Sequence, residues 1–568
     1  MQTHKLRYGK LFRGNKLQNC EKAGAIGVIM FSDPQDVTSR GGNASQVYPN
    51  SFFLPESGIQ RGTTKLTIGD PLSLGWPSIK GAYRPTPEEV RDYLPKIPNQ
   101  PIGYGDARRL LEVMGGEEVP EAWRGGLPGL TYRFGPGTNA TSHPGWKVRL
   151  VTHNYLKDVV DTNVIGVIRG EEEPDRYVLF SNHRDAWGYG ASDPSSGTAA
   201  LMETARVLGN LHKSTGWRPR RTIVFASWAA EEYGMMGSIE WVHHHIQKLM
   251  DRAVAIINVD LCVFGDRLAP QASPILKEVF VEAIKAVPST FDPSQSYYEF
   301  LEGYLAKGEK TKEMSVEEYV GILGSGSDHH EFAFFAGVPG LFFAFEMDNQ
   351  KYPKVGFPYP TYHTGFETFH LMDKILDPGF VLHKSCSQLG MHMMLQLAES
   401  VLLPLATKHF VAEVEKGILG LEKAGAVQQL RDGGLGEPYE TLVASIREFT
   451  SASRSWSERR EEMQVSGQLD DPLKARMLND QIMKFERVWI MPRGLPGREE
   501  IRHAIFSPAK HNLYGGAALP GISDLLYGVE ELEEQERAER LLELRKHLSD
   551  LMILFKQAAS WLQPFDHL

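Results

Sequence analysis

A set of histidine and carboxylate side chains along this sequence could act together as metal ligands and as a catalytic base. The set contains no cysteine, and imidazole with carboxylate is a donor set that suits a hydrolytic Zn²⁺ pair. Its members are His183, Asp193, Glu231, Glu232, Asp260 and His363. Taken one at a time, each residue has an ordinary structural explanation. It could be a polar residue at the end of a strand, an acid that interacts with the N-terminus of a helix, or a turn residue.

The elements around these residues favour the metal-site interpretation. Apolar runs predict buried strands over 175–182, 221–228 and 253–259, and helix-spaced apolar residues predict helices over 197–213 and 235–250. Alternating strands and helices indicate an α/β unit with a mostly parallel sheet. In such a sheet ligands bind beyond the carboxyl ends of the strands. His183, Glu231 with Glu232, and Asp260 all fall at that edge.

Longer motifs carry a resemblance to a known family. Residues 183–187, 217–228, 230–234, 323–328 and 359–363 resemble the glutamate carboxypeptidase II group of di-zinc peptidases. Within that group, residues 376–380 and 471–481 resemble the N-acetylated-alpha-linked acidic dipeptidase-like branch. The resemblance runs over essentially the whole chain, from residues 8–16 to the C-terminal helices.

The resemblance implies two zinc ions and a role for each ligand. His183, Asp193 and Asp260 would hold one zinc, and Asp193, Glu232 and His363 the other. Asp193 would bridge the two, because a carboxylate can offer one oxygen to each cation. The expected Asp193–Pro194 bond is cis, since proline lowers the cost of the cis form.

The same resemblance supplies the catalytic roles. Glu231 would be the general base that takes a proton from the zinc-bridging water. Tyr362 would donate a hydrogen bond to the oxyanion, and Asp185 would orient the imidazole of His183. The implied reaction is hydrolysis of peptide bonds in short peptides.

Substrate recognition departs from the family pattern. Arg13 and Tyr514 match residues that grip a substrate carboxylate, and Ser325 with Gly326 lies in a substrate-binding motif. The cations and amides that bind acidic side chains are absent: Leu513, Thr63, Phe342, Ala344, Ala269 and Ser327 stand in their places. We therefore expect neutral or apolar residues to be preferred, with glutamate release as the alternative. The sequence leaves open which end of the peptide is attacked.

A calcium ion is also implied by the resemblance. Glu240 matches one carboxylate ligand, and the carbonyls of Ser73 and Trp76 are the other expected ligands. His243 occupies the second carboxylate position and is a poor ligand for a hard cation. The run His243–His245 follows a helix face that we expect to meet solvent.

Composition is consistent with a large multidomain enzyme. The 568 residues are 42% hydrophobic and carry a net charge of −10, which argues against a nucleic-acid partner. Cys20, Cys262 and Cys386 are too few and too scattered for a disulfide framework. Asn43 and Asn139 are N-glycosylation acceptors that fit an extracellular protein. No apolar run approaches the length of a membrane span.

Three regions are predicted. Residues 1–155 resemble part of a protease-associated (apical) domain, with a strand near 25–31 and a helix near 106–114. Residues 156–400 form the di-zinc peptidase domain, and residues 401–568 form a helical domain that makes a homodimer in the family. Family members are type II plasma-membrane proteins with an extracellular catalytic domain. We expect this chain to lack that anchor and the first part of the apical domain.

Two further interpretations stay open beside the peptidase. A receptor-like binding protein, as in the transferrin receptor, shares the architecture but lacks an intact metal set. A catalytically inactive truncated form, less stable than a full ectodomain, would keep all the ligands and still fail to turn over.

Overall fold

The computed structural model describes residues 11–564 except 40–43, 74, 136, 140–141, 349, 354, 357 and 511. Asn43 and residues 8–10 of the N-terminal motif lie outside the described residues. The boundaries after residues 155 and 400 stay predictions.

The N-terminal region consists of short elements joined by long irregular segments. β1 and β2 pair in parallel, near the predicted strand at 25–31, and α3 covers most of the predicted helix at 106–114. The elements are α1 (Arg13–Lys22), β1 (Val28–Met30), α2 (Pro34–Val37), β2 (Asn99–Pro101) and α3 (Tyr104–Glu112).

A mixed, mostly parallel sheet occupies the centre of the molecule, as predicted. Its strand order is β3-β5-β4-β6-β9-β7-β8. β5, β4, β6 and β9 run parallel, whereas β3 pairs antiparallel with β5 and β7 antiparallel with β9. The strands are β3 (Val164–Ile168), β4 (Glu173–His183), β5 (Arg221–Trp228), β6 (Ala253–Asn258), β7 (Arg267–Ala272), β8 (Gly321–Ile322) and β9 (Gly340–Glu346).

Helices cover this sheet. Every residue of β6 is buried, which explains why residues 253–257 are an unbroken apolar run. The helices are α4 (Ser195–Thr215), α5 (Met236–Arg252), α6 (Lys277–Ala286), α7 (Tyr297–Lys307), α8 (Val316–Tyr319), α9 (His329–Phe334) and α10 (Val381–Glu399). Cys262 and Cys386 form a disulfide with a Cα–Cα distance of 6.3 Å, which is one cross-link and not a framework.

The C-terminal region is helical, with one small hairpin. Its aromatic core includes Phe410, Phe449 and Trp489, and Phe410 stacks on Trp489 with ring centroids 4.9 Å apart. The elements are α11 (Thr407–Lys423), α12 (Ala426–Asp432), α13 (Gly436–Val465), α14 (Pro472–Met483), β10 (Phe506–Ala509), β11 (Asn512–Ala518), α15 (Pro520–Leu526) and α16 (Glu534–Trp561). Among the described residues, no helix combines the length and the apolarity required for crossing a bilayer.

Candidate metal centre

The predicted ligands meet at one edge of the sheet. His183 is the last residue of β4, Glu231 and Glu232 follow β5, and Asp260 follows β6. Parallel strands end at the same edge, so residues far apart in sequence converge there. Gly197 lets α4 approach this edge closely, because a Cβ at that position would lie 1.8 Å from the carbonyl oxygen of Val259.

One side of the cluster is built around His183. Its Nε2 lies 2.8 Å from Oδ1 of Asp260 and 3.3 Å from Oδ1 of Asp193. All three residues are buried, with exposed fractions of 1%, 3% and 4% for His183, Asp260 and Asp193. Even a protonated His183 would balance only one of the two carboxylates. The buried group therefore requires a further positive charge.

The other side is built around His363. Its Nε2 lies 3.0 Å from Oδ2 of Asp193 and 3.2 Å from Oε2 of Glu232. The two oxygens of Asp193 therefore face different histidines, which is the arrangement a bridging carboxylate requires. The peptide bond between Asp193 and Pro194 is cis, as predicted.

These distances fit metal coordination. Ligands about 2.0 Å from a tetrahedral Zn²⁺ lie about 3.3 Å from one another, close to the spacings seen here. Oδ1 of Asp193 is buried and has no hydrogen-bond partner, so a cation is the natural acceptor of its lone pairs. The two ligand groups found among the described residues are His183–Asp193–Asp260 and Asp193–Glu232–His363. The donor set therefore fits zinc at both places.

Hydrogen bonds donated by the Nδ1 atoms of both histidines leave both Nε2 atoms available to a metal. Nδ1 of His183 lies 3.0 Å from the backbone carbonyl of Asp185, and Nδ1 of His363 lies 3.2 Å from the carbonyl of Arg61. Each Nδ1 therefore donates its proton to a carbonyl, and each Nε2 keeps its lone pair. The N-terminal region contributes directly to the site through Arg61.

Asp185 has a broader role than predicted. Its carboxylate Oδ1 is 3.5 Å from Nδ1 of His183, farther than its own backbone carbonyl. The two carboxylate oxygens accept the backbone N–H groups of Glu231 and Glu232 at 3.0 and 3.1 Å. Asp185 therefore positions the loop after β5 as well as the imidazole at the end of β4.

Glu367 is a part of the site that the sequence reasoning missed. Its Oε1 accepts the backbone N–H of Asp193 at 2.5 Å and the Tyr359 hydroxyl at 2.8 Å, and its Oε2 accepts the N–H of His363 at 3.2 Å. One buried carboxylate thus ties together the two loops that carry Asp193 and His363. Its only sequence signal is an acid four residues after His363.

The pKa shifts of the clustered carboxylates indicate that the site lacks positive charge. Burial raises the pKa of Glu231 well above its ordinary value, although His183 opposes the shift. Burial, reinforced by Asp193, also raises the pKa of Glu232. Burial alone would raise the pKa of Asp193 as well, but the adjacent imidazoles of His183 and His363 outweigh it and lower that pKa. Divalent cations would hold the carboxylates in their charged form.

Glu231 and Tyr362 face the same cavity as the ligands. Oε2 of Glu231 is 3.9 Å from Nε2 of His183, yet Glu231 belongs to neither ligand group. Tyr362 stacks on His363 with ring centroids 3.6 Å apart, and burial raises the pKa of its hydroxyl well above the ordinary value. Tyr362 therefore stays protonated near neutral pH and can donate a hydrogen bond.

Three of the predicted substrate-binding residues, Ser325, Gly326 and Tyr514, line this cavity, and Arg13 contacts one of its lining residues, Tyr362. A Cβ on Gly326 would lie 2.7 Å from the ring of Tyr514, and its φ of +107° also favours glycine. The guanidinium carbon of Arg13 is 5.8 Å from the centroid of the Tyr362 ring, and its Nε donates to the carbonyl of Thr63. Arg13 lines a separate small cavity.

The residues predicted for calcium make other contacts. Oε1 of Glu240 accepts the Ser73 hydroxyl at 2.5 Å, and the carbonyl of Ser73 accepts the backbone N–H of Trp76 at 2.9 Å. The expectation that His243 meets solvent is wrong, since its Nε2 lies 2.6 Å from Oε1 of Glu331 in a buried contact between α5 and α9. Neither metal-binding group found among the described residues includes Glu240, so calcium there stays a prediction.

Comparisons with known proteins identify the family. The model described as Peptidase family M28 matches residues 163–374. Aminopeptidase NAALADL1 of Rattus norvegicus is 36% identical over 98% of this chain and 73% of that protein. The chain belongs to peptidase family M28. A glutamate carboxypeptidase 2 homologue of Caenorhabditis briggsae is 35% identical over 92% of this chain and 69% of that protein.

A second family model and a solved structure also match this chain. The model of the transferrin receptor-like dimerisation domain matches residues 438–563. A solved zinc aminopeptidase from Bacillus subtilis aligns with 42% of this chain and 50% of that chain, with a TM-score of 0.30 and 20% identity, too partial a likeness to argue from. The family membership confirms the predicted resemblance and the prediction of a zinc metallo-exopeptidase.

Proposed function

We propose that this chain is a co-catalytic di-zinc exopeptidase that hydrolyses short peptides. The observation that carries the proposal is a pair of buried ligand groups sharing Asp193, with Glu231 beside them and belonging to neither. His183 and Asp260 would complete one zinc site, and Glu232 with His363 the other. Zinc bound there would lower the pKa of a water molecule and polarise the scissile carbonyl.

The side chains of the chain supply the proton transfers and the orientation. Glu231 would take the proton of the attacking water and pass it to the departing amine. The Tyr362 hydroxyl would donate to the oxygen that becomes negative as the carbonyl is attacked. Asp185 and Glu367 hold the ligand loops, so that these groups are in place before the substrate arrives.

The first test is metal content together with peptide hydrolysis. We expect two zinc ions per folded chain by elemental analysis. We also expect a digest of a short-peptide library, followed by mass spectrometry, to show removal of terminal residues. Chelation should abolish the activity, and added Zn²⁺ should restore it. One metal or none per folded chain, or cleavage only within long peptides, would contradict the proposal.

Acidic substrates should be poor ones. Among the described residues that line the cavity there is no lysine or arginine, and Phe342 occupies part of its wall. A substrate carboxylate buried there without a partner costs several kcal/mol. We therefore expect kcat/KM to be at least about 10²-fold lower for N-acetyl-aspartyl-glutamate than for N-acetyl-alanyl-alanine, and for aspartyl-glutamate than for alanyl-alanine, so that the comparison covers attack at either end. Equal values would refute this preference. Phe342→Arg should narrow the difference by supplying a cation.

The C-terminal region is proposed to form a homodimer. The support is the match of residues 438–563 to the transferrin receptor-like dimerisation domain. We expect sedimentation velocity at micromolar concentration to give twice the mass of one chain. A monomer under those conditions would contradict the proposal.

A further inference from the structure

One acidic side chain in the catalytic cavity is not used by the proposed metal site. Four of the acids that line this cavity are Asp193, Glu231, Glu232 and Asp260, and their four negative charges match the four positive charges of two zinc ions. Glu346, the last residue of β9, is a further acid in the same lining. It is therefore a carboxylate in the cavity beyond the four that two zinc ions would neutralise.

The counter-ion of Glu346 lies on the far side, away from the cavity. Arg267 of β7 is directly opposite Glu346 across the strand pair, and its Nη2 meets Oε2 of Glu346 at 2.8 Å. Arg267 does not line the catalytic cavity; it lines a neighbouring one beside Tyr304 and Asp348. Its Nη1 donates to the Tyr319 hydroxyl at 2.8 Å, which holds the guanidinium in that direction.

One oxygen of Glu346 remains for a ligand. Within the part of the chain that the structure describes, no hydrogen bond reaches Oε1, and the side chain keeps 15% of its surface exposed. A mostly buried acid that lines a cavity, with one oxygen committed and the other without a hydrogen bond among the described residues, favours a ligand that donates N–H groups and carries positive charge.

Small side chains lie between Glu346 and Phe342 along this strand pair. Residues 342, 344 and 346 lie on one face of β9, since side chains alternate along a strand. Their partners on β7 are Gln271, Ala269 and Arg267. The middle pair is alanine opposite alanine, so small side chains separate the Phe342–Gln271 pair from the Glu346–Arg267 pair.

We propose that Glu346 is a specificity-determining residue that binds an ammonium group of the peptide substrate. The ammonium group would be the free amino terminus or the side chain of a lysine, both of which offer N–H donors and one positive charge. This inference rests on the proposed peptidase function and assigns the substrate chemistry that its cavity selects. It also explains why no lysine or arginine is found among the described residues that line the cavity, since a cation there would repel the ammonium group.

The test compares peptides that differ only in their ammonium groups. The probes are alanyl-alanine, N-acetyl-alanyl-alanine, N-acetyl-lysyl-alanine and N-acetyl-alanyl-lysine. We expect Glu346→Gln to lower kcat/KM about 10- to 100-fold for alanyl-alanine or for one of the lysine peptides, and to leave N-acetyl-alanyl-alanine unchanged. The peptide that loses activity identifies the ammonium group. An equal effect on all four peptides, or none, would overturn the assignment.

Two control variants distinguish loss of ammonium binding from a general loss of structure. Glu413→Gln removes the same charge from another buried ion pair, that with Lys277 at 2.7 Å, outside the cavity, and should leave the four rates in their original ratio. Glu346→Gln combined with Arg267→Met removes both charges of the pair, so that no unpaired guanidinium is left. It should show the same selective loss as Glu346→Gln, and recovery of the wild-type ratio would overturn the proposal.

A binding measurement separates this inference from the proposed function. Failure of the peptidase proposal would appear as no hydrolysis of any of the four peptides. Calorimetric titration of the zinc-loaded Glu231→Gln protein with alaninamide, lysinamide and their N-acetyl forms needs no turnover. Tighter binding of ligands with an ammonium group, lost when Glu346→Gln is added, would support the role of Glu346. Equal affinities with and without Glu346 would refute it.

Discussion

Glu231→Gln should lower kcat by roughly 10²- to 10⁴-fold while the zinc content stays at that of the wild-type protein. Glutamine has nearly the same shape as glutamate and cannot accept the proton of the attacking water. Glu231 belongs to neither ligand group, so the ions should remain bound. The measurement is steady-state hydrolysis of a neutral peptide beside elemental analysis of the same sample.

The neighbouring residue provides the contrast. Glu232 is a member of the second ligand group, with Oε2 3.2 Å from Nε2 of His363. Glu232→Gln should therefore lose zinc as well as activity. If Glu231→Gln retained wild-type turnover, or if both variants lost zinc equally, Glu231 would not be the base.

Asp193→Asn should have the second large effect, because it acts on both metal sites at once. Only Asp193 is common to the two ligand groups, and each of its oxygens faces a different histidine. The amide nitrogen of asparagine is not a ligand for Zn²⁺, so at most one zinc should remain and peptide hydrolysis should fall below detection. Elemental analysis with a chelator-competition titration would measure the loss.

A buried aspartate outside the cluster serves as the control. Asp377 is 1% exposed and accepts the backbone N–H of Leu382 and a hydrogen bond from Nδ1 of His383. Asp377→Asn should cost some stability but keep two zinc ions in each folded chain. Asp193→Asn protein that kept both ions would show that Asp193 does not bridge them.

The sequence by itself determined three of the parallel strands, β4, β5 and β6, and the edge of the sheet at which the ligands meet. Strands buried on both faces are rich in apolar residues, so the apolar stretches within 175–182, 221–228 and 253–259 could be recognised as strands. Each run ends at a histidine or is followed by an acid, and the C-terminal edge of a parallel sheet brings such residues together without further information. His183, Glu232 and Asp260 were therefore predictable as neighbours.

Only the tertiary structure decided the contacts that link distant segments. Glu367 holds together the loops that carry Asp193 and His363, and the carbonyl of Arg61 accepts the Nδ1 proton of His363. Both contacts depend on how the loops fold over the sheet. His243 is a second residue whose contacts the sequence could not predict. Helical periodicity cannot tell a solvent face from a face packed on another helix, and α9 buries this histidine against Glu331.

Glu346 shows why charge counting along a sequence cannot reveal a binding site. On the sequence it is one of many acids, 79 residues from Arg267. The register of β7 against β9 makes the two a cross-strand pair, and the orientation of that pair turns the acid toward the catalytic cavity and the guanidinium away from it. Local pattern determines which strands form, whereas register and packing determine which side chain a substrate meets, because those depend on contacts summed over the whole chain.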